Sequence, residues 1–247
     1  MTPEFQNALI IGAGRGTGRA LAERLAAAGT KVTAVARTQS DLDTLVSQNP
    51  NVSAVVGDSA SGIAGELLNK VKPDLLVLAG GITPTMSSFH RQDWEDFSAT
   101  WNADTKTTFE FLKAAIEMPM APKGTIVTIS SGAAISGSYL SGGYAGAKRM
   151  QHYLTNYTAR EAENLGLGLR CYTVYPKQFI TGTQTADIAS SAYAEAQGVT
   201  QEKFMSQWDR QLSPELLADR IIALIDGTAD NATGAWGVTG TSLEPMD

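Results

Sequence analysis

The chain has 247 residues, 43% apolar, 18% charged and 7% aromatic, a balance that provides a substantial core and excludes a disordered chain. A net charge of −6 with no Lys/Arg cluster argues against nucleic-acid binding, and a single cysteine, Cys171, excludes an internal disulfide. With His90 and His152 far apart no metal spacing exists, and neither the polar start, Met1 to Gln6, nor any apolar run reads as a leader or membrane span, so a soluble cytoplasmic protein is expected.

Predicted elements alternate along the chain. Asn7 to Ile11 is a short apolar strand that runs into glycines. Gly18 to Ala28 reads as a helix with Ala20, Leu21, Leu25 and Ala28 on one face and Gly29 at its end. Lys31 to Ala36 is a second strand, and Ser40 is placed to cap a helix over Asp41 to Ser47. Asn51 to Val56 is a third strand, followed by a helix from Ile63 to Val71 that Pro73 stops. Leu75 to Ala79 is apolar at every position, as a strand buried on both faces requires. Asp93 to Met118 is mostly a long helix, Gly124 to Ile129 a fifth strand, Gly142 to Leu165 another long helix and Leu169 to Tyr175 a sixth strand. Lys177 to Gln211 is the irregular part, with polar turns and room for two short helices, and forms a candidate lid over a site. Ser213 and Pro214 cap and open a helix reaching Asp226, and a last strand lies in Ala235 to Thr239. Strict alternation implies a single doubly wound α/β domain over residues 1–247, its parallel sheet of about seven strands covered by helices on both faces.

Three features carry chemistry. The first strand opens directly into Gly12-Ala13-Gly14-Arg15-Gly16-Thr17-Gly18 and a helix follows. Glycines let the backbone turn tightly against a pyrophosphate, and a helix amino terminus offers free N–H groups to it. Tyr144 and Lys148 are four apart on a predicted helix and share a face. A neighbouring ammonium favours the phenolate, which makes such a tyrosine a usable proton donor or acceptor. Ser130 and Ser131 end the fifth strand at the carboxyl edge, where a hydroxyl can hydrogen-bond a substrate carbonyl.

The glycine turn, Ser131, Tyr144 thirteen residues later and Lys148 together closely resemble the short-chain dehydrogenase/reductase family. The resemblance runs from about residue 7 to residue 226 in the expected order. It implies a Rossmann-type fold and a catalytic tetrad, with Asn102 of Trp101-Asn102-Ala103 at the family's asparagine position. Tyr144 would protonate a carbonyl oxygen, Ser131 would orient it, Lys148 would ease loss of the tyrosine proton and hold the nicotinamide ribose, and Asn102 would position a water linking Lys148 to solvent. It also implies that Gly12, Gly14, Arg15, Gly16, Thr17 and Gly18, with Thr38, Asp58 and Ser59, hold the adenosine and phosphates. Ala79, Gly80, Gly81, Tyr144, Lys148, Pro176, Phe179 and Thr181 would hold the rest of the cofactor. Association of members through the helices that carry the asparagine and the tyrosine implies a homodimer or homotetramer. Three departures stand out: Leu78-Ala79-Gly80-Gly81 replaces Asn-Asn-Ala-Gly, Pro176-Lys177 replaces Pro-Gly, and the tail from Thr233 to Asp247 lacks Asp-Gly-Gly.

Where members preferring NAD carry an acid after the second strand, this chain has Val35-Ala36-Arg37-Thr38. A guanidinium at Arg37, a second at Arg15 in the glycine turn and no acid to repel a phosphate favour NADP(H). The expected activity is interconversion of a small-molecule carbonyl and an alcohol; the alternative is a non-catalytic NADP(H)-binding sensor or scaffold. Lys177 either points into solvent or attracts an anionic group on the substrate or the cofactor.

Overall fold

In the computed structural model, which describes residues 4–118, 120–226 and 233–246, the short apolar segments become the middle of one sheet. The first three residues of the polar amino terminus and Asp247 of the tail lie outside the described residues. Strands β1 (Asn7–Ile11), β2 (Lys31–Ala36), β3 (Val52–Val56), β4 (Leu75–Leu78), β5 (Thr125–Ile129), β6 (Arg170–Pro176), β7 (Gly234–Val238) and β8 (Leu243–Met246) pair in the order β3-β2-β1-β4-β5-β6-β7-β8. β1 pairs in parallel with both β2, Ile11 opposite Val35, and β4, Ile11 opposite Leu78. The chain therefore leaves β1 and β4 side by side but turns to opposite halves of the sheet, which opens a crevice at their carboxyl ends.

The sheet has eight strands rather than about seven. β8 runs antiparallel to β7, with Pro245 opposite Trp236. A proline lacks the N–H of an inner ladder and is confined to an edge, and a four-residue segment containing Glu244 and Pro245 carries little strand signal.

Successive residues of β1 point to opposite faces. Ala8 and Ile10 join a cluster with Leu21, Leu25, Leu217 and Ile221 from α1 (Gly16–Ala27) and α10 (Pro214–Ile225). Leu9 and Ile11 join the opposite cluster with Leu67, Phe111 and Ile126, which brings in α3 (Ala64–Val71) and α5 (Lys106–Glu117). Leu78, at the first family asparagine position, is 2% exposed in this second cluster, so apolar packing replaces an amide brace. Cys171 is buried in the same cluster, and burial pushes its thiol up to about 12, consistent with a packing role.

Ser213 caps α10 by accepting from the Leu216 N–H, with Pro214 in the first turn, as expected. The helix α2 (Gln39–Gln48) starts one residue before Ser40, and Thr38 holds the cap position without a side-chain bond. The predicted long helix is α4 (Trp94–Thr100), a π-helical turn (Trp101–Thr105) and α5 in succession. The remaining helices are α6 (Ala133–Ser136), α7 (Tyr144–Asn164), α8 (Gln184–Ala196) and α9 (Gln201–Met205), so the segment 177–211 is more ordered than its turn-rich sequence implied.

Candidate active site

A cavity of about 1040 Å³ lies at the carboxyl ends of the central strands. At one end is the glycine turn. Gly12 has φ +84, and a Cβ there would run into the Gly80 backbone, so both the left-handed conformation and the approach to the loop after β4 require glycine. Gly12 and Ala13 donate their N–H groups to the Val35 carbonyl at 2.9 and 3.0 Å, which fixes the turn to β2. No side chain caps α1, leaving its first-turn N–H groups available to an anion, and the turn lines the cavity. That uncapped helix end, facing a glycine-lined cradle, fits a dinucleotide pyrophosphate.

Gly12, Gly14, Arg15, Gly16, Thr17, Arg37, Thr38, Asp58 and Ser59 all border this end. Gly18 does not. Its Cα packs behind the turn, where a Cβ would strike the Gly12 carbonyl oxygen, so Gly18 shapes the loop without facing the cavity. The expectation that no acid stands near this end is also corrected. The end of β2 has none, but α2 brings Asp41 to the cavity wall, its carboxylate oxygen 3.5 Å from where a Gly14 Cβ would stand.

Ala79, Gly80 and Gly81 follow β4 into the same wall, and Ser131, Tyr144, Lys148, Pro176 and Phe179 border its middle and far parts. Ser130 donates its hydroxyl to the Lys148 carbonyl at 2.8 Å, tying the end of β5 to the first turns of α7. Ser131, one residue on, faces the cavity, and its Oγ accepts the Ala133 N–H at 3.2 Å. The Lys148 Nζ stands 5.5 Å from the Tyr144 ring centroid, so the four-residue spacing brings tyrosine and lysine together as read.

The partner of Lys148 is Asp104. Asp104 Oδ2 lies 3.0 Å from Lys148 Nζ, and the residues are 2% and 6% exposed. The other oxygen, Oδ1, accepts the Ile82 N–H at 2.9 Å, so one carboxylate joins α7 to the loop after β4. A Cβ on Gly81 would stand 2.8 Å from Asp104 Oδ2 and 3.3 Å from Lys148 Nζ, which makes glycine the residue that lets this pair form. Gln151 holds the turn from the other side, donating to the Thr108 hydroxyl at 2.8 Å and the Asp104 carbonyl at 3.3 Å. Burial pulls the Lys148 ammonium down, but the Asp104 carboxylate and Tyr144 outweigh it and hold the lysine above its ordinary value.

Asn102, expected in this place, is exposed, lies outside the cavity and donates to Ser98 Oγ at 3.3 Å. The π-helical turn sets which side chains point inward, with the Lys106 N–H reaching the Trp101 carbonyl. A signal for Asp104 was present: Asp104, Thr108, Phe111 and Ala115 recur at helical spacing and all are buried, while Asn102 is off that stripe.

Thr181, like Gly18 and Asn102, does not border the cavity. A bridge pairs Ile180 with Leu212, and Thr181 gives both its N–H and its hydroxyl to the Leu212 carbonyl, at 2.9 and 3.3 Å. The threonines of this stretch that border the cavity are Thr183 and Thr185, and Thr183 caps α8 by accepting the Ala186 N–H and packs against Gly16. Lys177 is exposed, and its stem lies over β7, with Cδ 2.8 Å from where a Gly237 Cβ would be. No helix of the described residues is long and apolar enough to cross a membrane.

The crevice, the glycine cradle and the tyrosine–lysine pair share one cavity at the carboxyl ends of the strands of a doubly wound α/β sheet. Residues 6–191 match the family model described as short chain dehydrogenase, and the chain belongs to that family. It is 35% identical over 129 residues to the L-xylulose reductase of Mesocricetus auratus, covering 51% of this chain and 53% of that protein. It is also 31% identical over 179 residues to the 3-oxoacyl-(acyl-carrier-protein) reductase of Escherichia coli, covering 68% and 71%. The chain thus spans about half the length of the hamster relative it matches. Among solved structures, a short-chain dehydrogenase/reductase of the glucose/ribitol dehydrogenase type from Brucella melitensis overlays with a TM-score of 0.80 at 23% identity over 98% of both chains. Levodione reductase overlays with a TM-score of 0.79 at 22% identity, over 95% of this chain and 96% of that one. At these identities the two structures show the fold.

Proposed function

We propose that the protein is an NADP(H)-dependent oxidoreductase that interconverts a ketone or aldehyde and an alcohol. The observation that carries the reading is that Ser131, Tyr144 and Lys148 border one cavity with the glycine cradle. A dihydronicotinamide held in this cavity would supply hydride to the carbonyl carbon. Tyr144 gives its hydroxyl proton to the carbonyl oxygen, and Ser131 donates a hydrogen bond that orients the same oxygen. Lys148, kept charged by Asp104, eases the departure of that proton and offers an ammonium to the nicotinamide ribose. The segment 177–211 closes over the cavity as a lid within a single domain. Nicotinamide absorbance with a panel of ketones and aldehydes tests the reading, and no turnover with any of them would overturn it.

The NADP preference rests on Arg15 and Arg37, both exposed and bordering the adenosine end of the cavity. Asp41 and Asp58 stand at the same end, and what favours a phosphate there is the planar fork of donors that each guanidinium offers it. Arg37→Ala is expected to weaken NADPH binding by about ten- to a hundredfold, the loss of one charge-assisted contact, with a much smaller effect on NADH. Fluorescence titration of both cofactors measures this, and equal losses would remove Arg37 from 2′-phosphate recognition.

A second copy of the chain is the proposed partner, through α5 and α7. Phe109 on α5 and Tyr157 on α7 are 50% and 57% exposed, while the two helices pack together. Light scattering is expected to give a dimer or tetramer, and Phe109→Glu with Tyr157→Glu a smaller species; a parent monomer would refute the interface.

A further inference from the structure

The cavity extends beyond Tyr144 into a region whose chemistry differs from the rest. Phe179 after β6, Tyr193 on α8, Phe204 on α9 and Trp208 form a ring cluster on its wall. Phe179 lies 5.7 Å from both Phe204 and Trp208 and 6.3 Å from Tyr193, measured between ring centroids. Tyr193 and Phe204 stack at 6.1 Å with an interplanar angle of 8°. The polar edge of Tyr193 is already engaged, since its hydroxyl and Ser138 Oγ are 2.6 Å apart. That contact also joins the cluster to the loop ahead of Tyr144, because Ser141 Oγ donates to Ser138 Oγ at 2.6 Å.

Charge is distributed unevenly along the same cavity. Arg15, Arg37, Asp41 and Asp58 stand at the glycine-turn end, and Asp104 and Lys148 neutralise each other in the middle. From the ring cluster's own segment the charged side chain on the wall is Lys177, whose stem is laid over Gly237 toward solvent. The other polar groups that this segment gives the wall are uncharged, Gln178, Thr183, Gln184, Thr185, Gln197 and Gln207, and Gln178 is already accepting the Gly240 N–H at 2.8 Å. A carboxylate or phosphate placed among the rings would lose its hydration without a paired cation, and a polyol laid on the ring faces would leave the hydroxyls that meet them without partners there. A flat apolar group gains from edge and face contacts with the rings.

From this we infer that the substrate is a neutral carbonyl compound with an aryl or similarly flat apolar arm, held among Phe179, Tyr193, Phe204 and Trp208. The inference rests on the carbonyl oxidoreductase reading and adds a substrate class unlike the sugar named by the L-xylulose reductase relatives.

The test compares acetophenone, 4-acetylbenzoate, xylulose and the small reporter butane-2,3-dione, each with NADPH. Acetophenone is expected to exceed both xylulose and 4-acetylbenzoate in kcat/KM by about tenfold or more. In Trp208→Ala the ratio of acetophenone to butanedione turnover should fall about fivefold or more, since the larger ketone alone reaches the rings. A parent enzyme that prefers xylulose or the carboxylate, or a ratio that Trp208→Ala leaves intact, overturns the inference. If no carbonyl is reduced, the oxidoreductase reading fails separately. Saturation-transfer NMR then decides the pocket: binding of acetophenone but not xylulose supports it, and the reverse sinks it.

Discussion

Tyr144→Phe is expected to lose about 10²- to 10⁴-fold in carbonyl reduction while binding NADPH nearly as tightly as the parent. The substitution removes one oxygen and leaves the ring, so the packing around Lys148 is kept. In the proposed reading cofactor affinity comes chiefly from the uncapped start of α1, the glycine turn and the basic residues that border the cavity beside them, not from that oxygen. The proton would then have to come from water, which is not held on the carbonyl oxygen in the way the Tyr144 hydroxyl is. Single-turnover kinetics beside a fluorescence titration separate the two effects. A variant retaining most of its rate would take the acid role from Tyr144, and a large loss of NADPH binding would show that the hydroxyl mainly holds cofactor.

The parts of this site that could be read from the chain were those set by regular local geometry. Four residues on an undistorted helix put Tyr144 and Lys148 on one face, and a glycine turn between strand and helix has few other uses. Asn102 and Thr181 were each two residues from the side chain that reaches the cavity. In the first case a π-helical turn rotates the inward face and Asp104 arrives where an asparagine was sought. In the second, pairing of Ile180 with Leu212, more than thirty residues later, delays the chain so that Thr183 emerges at the wall. Residue type outweighed the buried stripe of α5 in one assignment, and a long-range contact hidden from local sequence decided the other. The ring cluster was less legible still, because its members are spread between positions 179 and 208 and meet only when α8 and α9 fold back.

Asp104→Leu should have the largest effect on stability of any change at the site. The variant leaves the Lys148 ammonium buried with no counter-charge and the Ile82 N–H with no carboxylate to receive it. Breaking one side of a buried pair costs about 3–5 kcal/mol, and for a chain of this size that lowers Tm by about 6–20 °C. Lys148→Met should destabilise to a similar degree by stranding the carboxylate instead. The double variant is the informative one: with both charges gone and the volume kept, most of the loss should return, since a buried pair and an apolar pair of equal size differ little. pH provides a second check. Lys148 is held above its ordinary value, so the pair's contribution is complete below the unfolded lysine value and fades as pH rises through the folded one. The gap between parent and Asp104→Leu should therefore be full near neutrality and close only in strong alkali. Urea midpoints for the four proteins give the coupling directly. A double variant whose loss equals the sum of the two single losses would mean that the two side chains act independently, and that the loop after β4 is held to α7 by something other than their ion pair.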